Sequence, residues 1–186
     1  MARMRRAGIL RAIRRFAREH RGVSVVEFAL LLPVMLTVYL GGTEVTQGIT
    51  IKRKTTIVTR AIGDLVAQDV SITNAEMTAI LAAATSIVAP YSASNLKIVV
   101  SSVTIDGNNV AKITWSDAST GATARTLDTT VTLPPGLNQF PNTTLIWAEA
   151  EYTYTPPVGY MITGSMTLKD QLYLRPRLVN SIARVP

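Results

Sequence analysis

Glu149 and Glu151 occupy alternate positions of a strand-like run, Thr144 to Tyr154, so their carboxylates share one face roughly 7 Å apart at the backbone. Two acids so placed could act as general acid and base on a glycosidic bond. Alternate acids are also what the solvated face of an amphipathic strand displays, and that plainer reading is preferred. Asp106, Asn108 and Asp117 are the residues best suited to calcium, but turn chemistry accounts for the first two without an ion. The chain has no cysteine and a single histidine, His20, so it offers no thiolate site and little imidazole chemistry. No glycine-rich loop follows a strand in the way phosphate binding requires. Trp115, Trp147, Tyr152 and Tyr154 could form an aromatic surface for sugar or protein, although packing in a core suits them better. These residues give no reason to expect an enzyme, a cofactor or a metal.

One acid is harder to explain. Glu27 lies inside the apolar run Arg21 to Gly42, five residues after Gly22. The run Val23–Thr43 has no other charge, and as a helix at ~1.5 Å per residue it spans roughly 31 Å, about the thickness of a bilayer hydrocarbon core. Residues 1–22 hold eight arginines against Glu19, a net +7, which is the whole excess; the remainder has 11 basic and 11 acidic residues. A nucleic-acid-binding domain would spread its cations over the folded surface, so nucleic acid is not an expected partner. Arginines at one end of an apolar helix place that end in the cytoplasm and the bulk of the chain on the other side of the membrane. A secretory signal peptide is the competing reading, but its apolar core is about 7–15 residues. The pair Arg14-Arg15 carries little weight as a twin-arginine signal in a tail so rich in arginine. A carboxylate near a membrane boundary could snorkel to water. Deeper in, it costs about 2.5–3.5 kcal/mol and calls for a cation on another chain.

The arrangement of basic leader, Gly22, Val-Ser-Val-Val, Glu27-Phe28 and Ala-Leu-Leu-Leu-Pro33 resembles the type IV prepilin processing motif. It is most similar to the TadE-like minor pilins (pseudopilins) of the tight-adherence pilus system. The resemblance covers roughly Arg21 to Asp69. It implies that a membrane prepilin peptidase cuts between Gly22 and Val23, removing a 1–22 leader and making Glu27 the fifth residue of the mature chain. It further implies that Glu27 pairs with the N-terminal ammonium of a neighbouring subunit, which would offset part of the cost of desolvating a carboxylate. The implied function is initiation or assembly of a tight-adherence pilus. The partners would be other pilins, major and minor, through the N-terminal helix, together with the peptidase, the pilus assembly platform and the inner membrane. The headgroup would be periplasmic, or carried out in an extracellular pilus. The alternative is a single-pass anchored periplasmic binding domain that never enters a fibre, and a third reading is a secreted enzyme using Glu149 and Glu151. The mature N-terminus separates them: Val23 for the pilin, Met1 or Ala2 for an uncut anchor, a terminus beyond Gly41 for a secreted protein.

The elements that must position these residues follow from periodicity. No proline lies between Pro33 and Pro90, so one long helix to about Val66 is permitted, with Pro33 removing one backbone bond. Thr73-Asn74-Ala75-Glu76 reads as a capping box opening a second helix, whose stripe Met77, Ile80, Leu81, Ala84, Ile87, Val88 ends at Pro90. Leu96–Ile105, the turn Asp106-Gly107-Asn108, and Asn109–Trp115 read as a hairpin. A short strand is expected near Thr129–Leu133, a strong one at Thr144–Tyr154 and a last one at Ser165–Arg175. The expectation is an α+β fold: a membrane-spanning and assembly helix over 23–69, then a headgroup over 70–186 with one helix packed on an antiparallel sheet. A fragment beginning near Ser71 is expected to be soluble, monomeric and folded.

Overall fold

The computed structural model describes residues 20–159 and 164–186; the expected leader, as far as residue 19, lies outside the described residues. Helix α1 is a single element, His20–Gln68. Pro33 lies inside it, and the Thr37 hydroxyl donates to the Pro33 carbonyl at 2.8 Å. Further along, the buried Thr55 and Thr59 hydroxyls donate to the carbonyls four residues back, at 2.9 and 3.0 Å. The helix thus satisfies its own buried hydroxyls, which lets a segment rich in β-branched residues pass through a core.

Packing divides the chain into two units, one ending at Glu44 and one running Val45–Pro186. In the first, the apolar side chains of α1 are exposed all round, as at Val25, Leu30 and Val38. In the second, Ile51, Val58, Ile62 and Val66 of α1 are buried to within 1 % and form part of the main core. The boundary expected between helix and headgroup lies at 69/70; the compact unit that starts at Val45 takes those four side chains of α1 into its core, and a fragment from Ser71 lacks them all.

Strand β1 (Ser71–Ile72) is followed by α2 (Asn74–Ile87), with the expected capping box. The Thr73 hydroxyl accepts from the Glu76 N–H at 3.2 Å, and the Thr73 N–H donates to Glu76 Oε2 at 2.8 Å. After a 3-10 turn come β2 (Leu96–Ile105), β3 (Ala111–Ala118), β4 (Thr130–Val131), β5 (Thr143–Tyr154), β6 (Met166–Leu174) and β7 (Ala183–Arg184). Five strands form an antiparallel sheet in the order β4-β3-β2-β5-β6. The fold class is the α+β class read from the sequence. At the hairpin turn, Asp106 Oδ1 accepts from the Asn108 and Val110 N–H groups at 2.8 and 2.9 Å, so that carboxylate serves the turn.

The sheet is buried on both faces for part of its length. Ile98 and Val100 of β2 face α1 and α2 with Ile146, Ala150, Tyr152 and Tyr154 of β5. The alternate residues Val103, Ile105, Leu145 and Trp147 form a second core with Ala111, Ile113 and Leu133. A β-bulge lets β3 serve both. Ser102 pairs with Trp115 and Val103 with Ile113, so Thr114 is the extra residue, and two side chains that simple alternation would put on one face go to opposite ones.

Two further devices set α1 in the headgroup. A Cβ at Gly63 would stand 3.1 Å from Leu174 Cδ1 and 3.3 Å from Ala148 Cβ, so glycine there permits the close approach of helix and sheet. The C-terminal segment forms a strap: β7 pairs in parallel with β1, the Arg177 N–H donates to the Ala67 carbonyl at 2.9 Å, and the Arg177 side chain pairs with Asp64. The Trp115 indole donates to the Ile182 carbonyl at 2.8 Å. Arg184 holds Asp117 with two bonds, at 2.8 and 3.0 Å, and also reaches Asn74 Oδ1 and the Ile72 carbonyl. Asp117, considered above for calcium, is therefore the counter-ion of Arg184, and among the described residues no cluster of acids or histidines suits a metal.

Candidate assembly helix and processing motif

The motif residues Gly22, Val23, Glu27, Phe28 and Pro33 all lie on α1. Val23 and Glu27, four residues apart, stand one turn from each other on one side of the helix. All five are exposed. Glu27 makes no ion pair or hydrogen bond with another described residue, so whatever offsets its charge in an apolar setting must come from outside this part of the chain.

Gly22 repays a comparison with Gly63. A Cβ built at Gly22 meets nothing within 4 Å, and its backbone is helical. Helix interiors disfavour glycine relative to alanine by about 1 kcal/mol. Among the described residues nothing crowds position 22, whereas packing favours glycine at 63. Gly41 and Gly42 of the same helix are equally open.

The helix is long enough and apolar enough to cross a membrane, and its most apolar stretch is exposed throughout. Side chains apolar on every side and without internal partners need an apolar surrounding, either lipid or other helices.

The other candidates resolve differently. Glu149 accepts from Arg125 Nη2 at 2.6 Å and Nε at 3.1 Å, while Glu151 pairs with Lys169 at 2.9 Å. Each acid thus has its own cation on a partly exposed polar face of the sheet. Arg125 also lies 3.7 Å over the Trp147 ring, which stacks on Tyr173 with centroids 5.2 Å apart. Burial first, then the nearby Glu149 charge, pushes the Tyr173 hydroxyl up to about 12. A groove of about 880 Å³ runs along this face, with Lys97, Arg125, Glu149, Glu151 and Lys169 in its wall. Trp115, Trp147, Tyr152 and Tyr154 are all buried, so they pack rather than present a surface.

Sequence reading missed the strap. Arg184 and Asp117 are 67 positions apart, and no local pattern links them. It also missed Gly63, for which an isolated glycine in a helical stretch was the available signal.

Residues 22–61 match a family model described as TadE-like protein, starting at Gly22 and including Glu27, Phe28 and Pro33. No curated protein and no solved structure matches the chain. The motif and the exposed apolar helix that carries it thus lie within the one stretch, residues 22–61, that is similar to TadE-like proteins.

Proposed function

We propose that the protein is a minor pilin, or pseudopilin, that takes part in initiating or assembling a tight-adherence pilus. A prepilin peptidase cuts between Gly22 and Val23 on the cytoplasmic side, and residues 23–69 then act as the membrane and assembly helix. The headgroup stands on the periplasmic side of the inner membrane and can be carried into the fibre. Other pilins and the assembly platform meet the chain through the N-terminal helix, and Glu27 pairs with the Val23 ammonium of a neighbour. The observation that carries this reading is the family match that begins at Gly22 and takes in Glu27, Phe28 and Pro33.

Replacing Gly22 by leucine puts a side chain where a peptidase pocket must accept none. The expected product is the full-length chain, heavier by its 22-residue leader and still inserted. Mature protein of normal mass, starting at Val23, from that variant counts against processing at this bond. A terminus at Met1 or Ala2 in the unaltered protein favours an uncut anchor instead.

A further inference from the structure

The groove beside Glu149 and Glu151 lies wholly within the unit that starts at Val45, and its charges do not cancel. Lys97 on β2, Glu151 on β5 and Lys169 on β6 are register partners, a single row across three strands. Glu151 pairs with Lys169, Glu149 with Arg125, and Asp170 with Lys52. Each acid in the groove wall thus has its own cation, and Lys97 is left over. Its side chain is exposed, and its ammonium makes no ion pair or hydrogen bond among the described residues.

The facing wall is the segment after β3, which is firmly tied yet offers unpaired main chain. The Ser119 N–H donates to the Ile98 carbonyl and the Asp128 N–H to the Ile113 carbonyl, both at 2.9 Å. Between these ends the Arg125 N–H donates to Ser116 Oγ at 2.9 Å. Thr123, Ala124 and Thr126 line the groove and are exposed. Neither their N–H groups nor their carbonyls have a partner among the described residues. Such a segment presents donors and acceptors side by side, as a sheet edge does.

We propose that the groove binds an extended segment of another polypeptide, which sets a carboxylate against Lys97 and pairs its main chain with residues 123–126. A small anion would answer Lys97 and the N–H groups but bring no donor to the carbonyls; a peptide backbone brings both. The volume, about 880 Å³, is that of a site for an organic ligand rather than a single ion. Because the groove belongs to the headgroup, it can be tested independently of processing at Gly22.

The probe is a pool of blocked heptapeptides, randomised at the five central positions and passed over the immobilised full-length protein in detergent. Retained peptides should be enriched in Asp or Glu at one position, and the best of them is measured by titration calorimetry. Lys97→Gln should weaken its binding by about tenfold, the contribution of one hydrogen bond to a charged group. Lys97→Glu should turn the preference of the pool from acids to Lys or Arg. Both variants should keep the wild-type melting temperature, since the Lys97 ammonium is exposed and unpaired. N-methylation of alternate peptide nitrogens leaves the protein unaltered and, in one of the two registers, should cut binding by about tenfold or more. No retained peptide, no enrichment in acids, or binding indifferent to Lys97→Gln or to N-methylation would each overturn the site. Acid enrichment that survives Lys97→Glu would belong to the arginines of residues 1–22 and would also overturn it. So would acetate, inorganic phosphate or oligogalacturonate bound as tightly as the best peptide. A protein already paired with itself through the groove, releasing monomers as peptide binds, would make a second copy the occupant and overturn the proposal too.

Discussion

The two halves of α1 are built from the same kinds of side chain and differ in what those side chains meet. Up to Glu44, valines and leucines point outward on every side and touch little else among the described residues. From Val45 on, one side of the helix is sealed in the headgroup core and the other carries arginines and isolated aliphatics. Hydrophobicity alone does not separate the halves; the presence of a polar or basic side does. The glycines repeat the contrast, since Gly63 has a packing role and Gly22 has none. The first half is shaped for encounters with other molecules, and the second is already an organ of the fold.

The largest expected effect lies in the second half. Val58→Asp places an unpaired carboxylate in the main core, and burial of that kind costs more than about 4 kcal/mol. The headgroup should lose its resistance to proteolysis while the chain still inserts and is still cut. A headgroup that survives this change would mean that the second half of α1 is not a core element. Glu27→Gln should do the reverse: headgroup stability stays unchanged, but co-purification with partner pilins and pilus number fall sharply. Losing one member of a buried pair costs about 3 kcal/mol, and less in a wet site. Normal assembly by this variant would leave Glu27 as a boundary residue only.

Gly63→Val should cost about 1–3 kcal/mol through overpacking against Leu174 and Ala148, read as a lower melting temperature. Gly22→Val should leave the melting temperature where it was. The smallest effects come from pH. The Tyr173 hydroxyl is held up to about 12, against an ordinary value near 10 for the unfolded chain, so the unfolded state loses that proton first. Its contribution is complete below pH 10 and fades as the pH rises from about 10 towards 12. Glu76 is opposite in sign: hydrogen bonds from the Thr73 backbone, then its side chain, hold the carboxyl below its ordinary value. That contribution is present above the unfolded value of about 4.5 and is lost as the pH falls through the lower folded value. Tyr173→Phe and Glu76→Gln should each flatten the matching limb of a stability-against-pH curve.

What could be read in the sequence was local. The capping box at Thr73 and Glu76, the Asp106 turn and the length of the apolar run each depend on residues a few positions apart, and the structure has them as expected. The TadE-like motif was legible for the same reason, being short and contiguous. The second core was not, because period-two counting assigns Ile113 and Trp115 to one face and a bulge at Thr114 separates them. The ion pairs of Glu149 and Glu151 were also out of reach, since Arg125 arrives on a loop and Lys169 on another strand. In the sequence Arg53 and Arg60 do not differ from their neighbours, and only burial shows which side of α1 the headgroup takes.

The C-terminal strap has a consequence in time. Helices α1 and α2 and the β2–β3 hairpin rest on contacts that can form as soon as their own residues are available, because short loops close cheaply. The β1–β7 ribbon joins positions 112 apart, and nothing can stand in for it earlier. In a chain made from its N-terminus, the Ile72 carbonyl, the Trp115 indole and the Asp117 carboxylate all wait on residues 182–185. These contacts therefore close last in a chain made from its N-terminus, and the order of synthesis becomes the order of closure.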